Sequence, residues 1–200
     1  MSKDIRKILT DTWDIESKEV SRLKDTIDKD AAETIVRKIS SCKGKIILTG
    51  CGTSAMAAKK IVHSLSVIDI PAVFLNPSDA VHGSLGIVKK DDIVIFVSKG
   101  GNTKELTSFI ANVKDKKAYT ITVSENEESV LAQNCDLFLK VKIEREPDPF
   151  DMLATASTMA VIAVFDAICI AIMEHKGFSK KEFALNHPGG AVGERLNKNK

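Results

Sequence analysis

The sequence predicts a three-layer α/β sandwich around a five-stranded, parallel, doubly wound sheet, preceded by a helical N-terminal extension. Two observations predict it. From Gly44 onward, apolar runs of five to seven residues, rich in β-branched side chains, alternate with stretches of helical periodicity. Before that point the apolar residues recur only at helical spacing. Short strands alternating with helices pair in parallel, because each crossover helix returns the chain to the same end of the sheet.

In the extension, residues 1–43, three apolar stripes fall at helical spacing: Ile5, Ile8, Leu9 and Trp13; Val20, Leu23 and Ile27; Ile35, Val36 and Ile39. A break near Asp30 divides them into two helices. The sheet-forming part, residues 44–200, opens with KIILTG (45–50), a strand closed by glycine, and continues with a helix over 55–65. PAVFL (71–75) and DIVIFVS (92–98) are the second and third strands. A helix over 104–113, the strand AYTITVS (118–124), a short helix over 128–133 and the strand LFLKVKI (137–143) follow. A long apolar helix over 155–176 then ends at Gly177.

Composition excludes several classes of partner. Twenty-nine basic and 27 acidic residues leave a net charge of +2, which gives no electrostatic reason to bind nucleic acid or a membrane surface. The polar opening, residues 1–7, predicts no signal peptide. The most apolar run, 158–173, contains Asp166 and is shorter than a membrane span, so it reads as a core helix. Cys42, Cys51, Cys135 and Cys169 have neither metal-ligand spacing nor a pairing pattern, as expected of reduced thiols in a cytoplasmic protein.

In an open parallel sheet, ligands bind outside the carboxyl ends of the strands. The loop after the first strand reads GCGTSA (50–55): glycines that let backbone approach a ligand, then Thr53 and Ser54 at a helix N-terminus, where partial positive charge favours phosphate. By itself this loop is equally a plain helix cap. It lacks the third glycine of the dinucleotide fingerprint, and Asn76 rather than an acid follows the second strand, which disfavours a nicotinamide cofactor. The loop after the third strand, SKGGNTKE (98–105), repeats the chemistry and adds Lys99. Two such turns at one sheet edge suit a tetrahedral anion.

These stretches, together with NPSDAVHGSLG (76–86), ATAST (154–158) and FALNHPGGAVGERL (183–196), resemble the sugar isomerase (SIS) domain family. The likeness is greatest to its arabinose 5-phosphate isomerase branch. Larger members of that branch carry paired CBS modules after this stretch, which the 200 residues are expected to lack. The resemblance implies that Gly52, Thr53, Ser54, Ser98, Lys99, Gly100, Gly101 and Thr103 cradle the phosphate of a sugar. It implies that Glu105, Glu146, His82 and His187 line the sugar end. It further implies a homodimer or homotetramer in which the His187 loop reaches a neighbour's site.

Those residue types suit aldose–ketose interconversion, which moves a proton between adjacent carbons through an enediol and needs a base near neutrality with a polarising partner. No metal or organic cofactor is required. Other readings stay open: a non-catalytic phosphosugar sensor, or an isomerase for a hexose or amino-sugar phosphate. Glu105 could simply complement a helix dipole, Glu146 could be solvated in its charged EREPDP loop, and His82 could be a turn residue. His63 and His175 read as helix-surface residues. The sequence departs from the branch at Thr53, where lysine is usual, and at Gly100, where a serine is usual.

Overall fold

The computed structural model describes residues 4–197. The first two helices, α1 (Ile5–Thr26) and α2 (Lys29–Ser40), each begin where an aspartate accepts hydrogen bonds from otherwise free N–H groups: Asp4 from Arg6 and Lys7, Asp28 from Asp30 and Ala31. The break therefore falls at Ile27 and Asp28 rather than at Asp30, because the capping residue is the one that leaves helical geometry.

Five strands follow: β1 (Ile46–Gly50), β2 (Ala72–Phe74), β3 (Ile93–Val97), β4 (Tyr119–Ser124) and β5 (Leu137–Lys140). They form one all-parallel sheet in the order β2-β1-β3-β4-β5. Alternation along the strands sends Ile46, Leu48, Ile93, Ile95, Val97, Ile121 and Val123 to one face, and Ile47, Val94 and Phe96 to the other. The first face is covered by α1, α2, α3 (Gly52–Val67) and α8 (Ala156–Lys176). The second is covered by α4 (Pro77–Ala80), α5 (Lys104–Thr107), α6 (Ile110–Asp115) and α7 (Val130–Asn134). The chain closes with α9 (Lys180–Asn186) and α10 (Gly190–Asn197).

By length and composition α8 could cross a membrane. In this fold it buries Ala156, Ala160, Val164, Phe165, Ile168, Cys169 and Ile172 and packs on α1, α2 and α3. At the amino ends of the strands Asp92, only 2% exposed, ties β1 to β3. Its carboxylate accepts from the Lys45 N–H (2.9 Å), the Lys45 ammonium (2.7 Å) and the Lys89 N–H (2.7 Å). Burial alone would raise its pKa, but these donors outweigh burial and hold it below the ordinary aspartate value.

Two elements differ from expectation, and further helical turns form where the sequence pattern assigns no element. The helix over 104–113 is two, α5 and α6, interrupted where Phe109 leaves helical geometry to pack its buried ring 5.6 Å from Phe96. The fifth strand stops at Lys140 because its partner β4 ends at Ser124, whose carbonyl still accepts from the Val141 N–H (3.0 Å); Val141 and Ile143 stay buried beyond the strand. The segment 76–87 forms α4 and a short 3-10 turn, with Asn76 capping and Pro77 opening the helix.

In this strand order the chain leaves β1 towards β2 and leaves β3 in the opposite direction, towards β4. The diverging loops open a crevice at the carboxyl ends of β1 and β3, the switch point where ligands bind in such sheets.

Candidate active site

Two loops line the crevice. The first turns from β1 into α3. A Cβ at Gly50 would come within 3.0 Å of the Val97 carbonyl and 3.1 Å of the Ser54 backbone, so glycine lets this turn lie against the end of β3. Gly52 has φ +55° and faces open space. Exposed Thr53 and half-buried Ser54 occupy the first turn of α3, whose free N–H groups lie at the crevice end.

The second loop runs from β3 into α5. Buried Ser98 has its Oγ 2.9 Å from Thr103 Oγ1 and accepts from the Gly101 N–H at 3.1 Å. Gly101 has φ +68°, and a Cβ there would overlap Ser129 Oγ and lie 2.5 Å from Ser129 Cβ. The Lys99 carbonyl accepts from Ser124 Oγ (2.8 Å) and the Glu125 N–H (3.0 Å), and the Gly101 carbonyl from the Leu131 N–H (3.1 Å). Asn102 Oδ1 accepts from the Val130 N–H (2.8 Å). The loop is thus bolted to β4 and α7, while exposed Gly100 leaves its outer side open.

A third segment enters from the chain ahead of α8. Glu146 is fully buried rather than solvated. Its Oε1 accepts from the Lys99 ammonium (3.0 Å) and the Ser157 hydroxyl. Its Oε2 accepts from the Thr155 N–H (3.1 Å) and the Ser157 N–H (3.3 Å). The N-cap residue of α8, Thr155, makes no capping bond of its own, and the Glu146 carboxylate takes that place. Burial pushes its pKa up, but Ser157, Lys99 and the two amides outweigh burial and hold it below the ordinary glutamate value. Beneath Lys99 lies a narrow cleft of about 40 Å³ lined by Ser54, Ser124, Ser157 and Thr158. Its volume is too small for a whole sugar.

Room for a sugar lies on the other flank of the α3 N-terminus. There an open cavity of about 270 Å³ is lined by Gly50, Gly52, Lys59, Asn76, Ser78 and Glu105. Glu105 is exposed in the first turn of α5. Beside it, burial raises the pKa of Cys51, and the Glu105 charge raises it further. Exposed His82 lies just beyond α4, which packs on α5, so it sits at the rim of this edge.

His187 is elsewhere. It ends α9, stacks on Phe183 with ring centroids 4.3 Å apart, and has Nδ1 3.2 Å from the Phe183 carbonyl. Neighbouring Asn186 donates to the Val67 carbonyl at the far end of α3. Sixteen helical residues, about 24 Å, separate that end from the cradle.

One sheet edge therefore gathers Gly52, Thr53, Ser54, Ser98, Lys99, Gly100, Gly101, Thr103, Glu105 and Glu146, with His82 at the rim and His187 outside it. Sequence patterns assign no role to Ser157, Lys59 or Asn76 at this site. Ser157 and Asn76 do lie in two of the stretches that carry the resemblance, ATAST and NPSDAVHGSLG, and Ser157 stands at the start of a helix. Among the described residues no cluster of three or more His, Cys, Asp or Glu side chains is placed to hold a metal ion.

Comparison with known proteins matches residues 38–171 to the SIS domain. The chain belongs to the SIS domain family. Within that family it is 35% identical over 185 residues to the arabinose 5-phosphate isomerase GutQ of Salmonella typhi, covering 91% of this chain and 56% of that protein. This SIS chain thus spans little more than half the length of that curated relative. A candidate sugar-phosphate isomerase from Listeria monocytogenes superposes with a TM-score of 0.92 at 50% identity, covering 94% of this chain and all of the other. A protein of E. coli CFT073, solved in complex with arabinose 5-phosphate, superposes at 0.89 with 30% identity, again over 94% of this chain and all of the other. Both solved structures share the parallel α/β fold of this chain.

Proposed function

We propose that the protein is a cytoplasmic aldose–ketose isomerase for a phosphorylated sugar of the arabinose 5-phosphate and ribulose 5-phosphate type. The observation that carries this reading is the exposed Glu105 carboxylate in a sugar-sized cavity, on the same sheet edge as the Ser54, Ser98 and Thr103 hydroxyls. The hydroxyls and helix N-terminus hold the phosphate, which fixes the sugar's C1 and C2 over the free carboxylate. Glu105 takes the C2 proton and returns it to C1, while an imidazole protonates or polarises the oxygens of the enediol. His82 is at hand at the rim. His187 can take that role only from a second copy of the chain, so the reading includes a homodimer or homotetramer with composite sites. The solved relative with arabinose 5-phosphate bound and the curated isomerases support the substrate class.

The test follows exchange of the C2 proton of arabinose 5-phosphate with deuterated water, alongside product formation. Wild type is expected to exchange. Glu105→Gln is expected to lose at least about 100-fold in rate while retaining binding. Light scattering is expected to show a dimer or larger, and mixing His187→Ala with Glu105→Gln is expected to restore part of the activity. Binding without exchange or product across pentose and hexose phosphates would favour a sensor. That second reading is supported by Thr53, which supplies no charge where the isomerase branch has lysine.

A further inference from the structure

A carboxylate offers about four lone-pair positions, and four donors occupy Glu146: the Lys99 ammonium, the Ser157 hydroxyl and two amides at the start of α8. Nothing is left with which to accept a proton from carbon. Of the residues that supply those donors Lys99 is the exposed one, while Thr155 and Ser157 are half-buried. The Lys99 side chain is 39% exposed, whereas that of Glu146 is 0% exposed. Lys99 also stands between Ser98 and Gly100, on a loop whose carbonyls are fixed by Ser124, Glu125 and Leu131. Its ammonium is therefore a placed cation, held by the Glu146 carboxylate at 3.0 Å on a side chain that is otherwise exposed.

Taking the phosphosugar reading as given, we infer that Lys99 is the residue that reads the ligand's charge, contacting the phosphate over the cradle, and that Glu146 is a positioning residue for that ammonium rather than the base. The pair begins neutral. An arriving phosphomonoester dianion turns Lys99 into a bridge between two anions, so the ligand gains a charge-assisted contact while the buried carboxylate keeps its compensation. An uncharged sugar offers the ammonium a hydroxyl acceptor at most, without the charge–charge contact. Exposed Gly100 presents no side chain across the approach. The cation that the isomerase branch carries at the position of Thr53 is here supplied from the neighbouring loop. Glu105 is left as the carboxylate with acceptor positions open to a substrate.

Calorimetric titration with arabinose 5-phosphate and, separately, with inorganic phosphate tests the assignment in wild type, Lys99→Met, Lys99→Arg and Glu146→Gln. Deuterium exchange at C2 is measured in parallel, and each variant is first checked for native unfolding behaviour. Lys99→Met is expected to weaken both titrations by at least about tenfold, and Lys99→Arg to restore them to within a few-fold. Glu146→Gln is expected to raise KM about tenfold while kcat for exchange falls only a few-fold, the split of a positioning residue. Should Glu146→Gln fail to fold, the Lys99 pair of variants still decides. Wild-type affinity in Lys99→Met overturns the inference and leaves the isomerase reading standing. So does a Glu146→Gln enzyme that binds normally but loses exchange. A wild type that binds neither probe removes both readings.

Discussion

Gly101 is the position at which the cradle is most sensitive to a single methyl group. Gly101→Ala places an L-residue at φ +68°, which costs about 1–2 kcal/mol of left-handed strain. The new Cβ also occupies the space of the Ser129 side chain. Ser129 is fully buried, so it cannot swing into solvent, and its Oγ caps α7 by accepting from the Ala132 N–H. Displacing that cap costs about 1 kcal/mol. Against this, alanine lowers the entropy of the unfolded chain, a gain of about 0.4–1 kcal/mol. The net expectation is a loss of about 2 kcal/mol, seen as a lower urea midpoint at unchanged slope. Because Gly101 also donates to Ser98, binding of sugar phosphate should weaken with it. Repeating the substitution in a Ser129→Gly background, which removes the obstructing atoms, should reduce the loss to the strain alone. A Gly101→Ala protein within about 0.5 kcal/mol of wild type, or an equal loss in both backgrounds, would refute the reasoning.

Other outcomes are expected on the same footing. Asp92→Ala should destabilise by about 2–4 kcal/mol near neutral pH, since it strands the Lys45 and Lys89 donors. The folded-state pKa of Asp92 is depressed, so its contribution is present above the ordinary aspartate pKa and is lost as pH falls through the folded value. The gap between wild type and variant in urea midpoint should therefore narrow below about pH 4, and a widening gap would contradict the assignment. Ser98→Ala should weaken sugar-phosphate binding by about 1–3 kcal/mol, measured by calorimetry, while the unphosphorylated sugar stays without effect on Tm. The Cys169 thiol, buried in α8, is pushed up to about 11 by burial and then by the Asp166 charge. Alkylation of native protein at mildly alkaline pH, mapped by mass spectrometry, should spare Cys169 until the chain unfolds.

The sheet was legible because parallel strands buried on both faces read as short apolar runs: IVIFV is apolar at every position, and IILTG closes its run on a glycine. What local pattern could not carry was any feature set by a distant partner. The end of β5 is fixed by where β4 stops, and the break between α5 and α6 by an aromatic contact across to β3. The two loops of the crevice stood out through their glycines and hydroxyls. The state of Glu146 did not, because its four donors come from segments 9 to 47 residues away. His187 shows the converse: its loop marks it for function, yet the fold of one chain holds it an α3 length from the cradle.

The long apolar helix also sets a timetable for synthesis. Leu23, Ile35 and Ile39 are buried in a core that α8 completes, but α8 begins at Ala156. On a ribosome adding residues at about 5–20 per second, the finished α1 and α2 wait on the order of ten seconds before the residues that cover them exist. Throughout that interval their apolar stripes face solvent or whatever else is near the exit tunnel. A nascent chain arrested before α8 should therefore bind an apolar-surface dye and a holdase chaperone, and one extended far enough for α8 to clear the exit tunnel should release both.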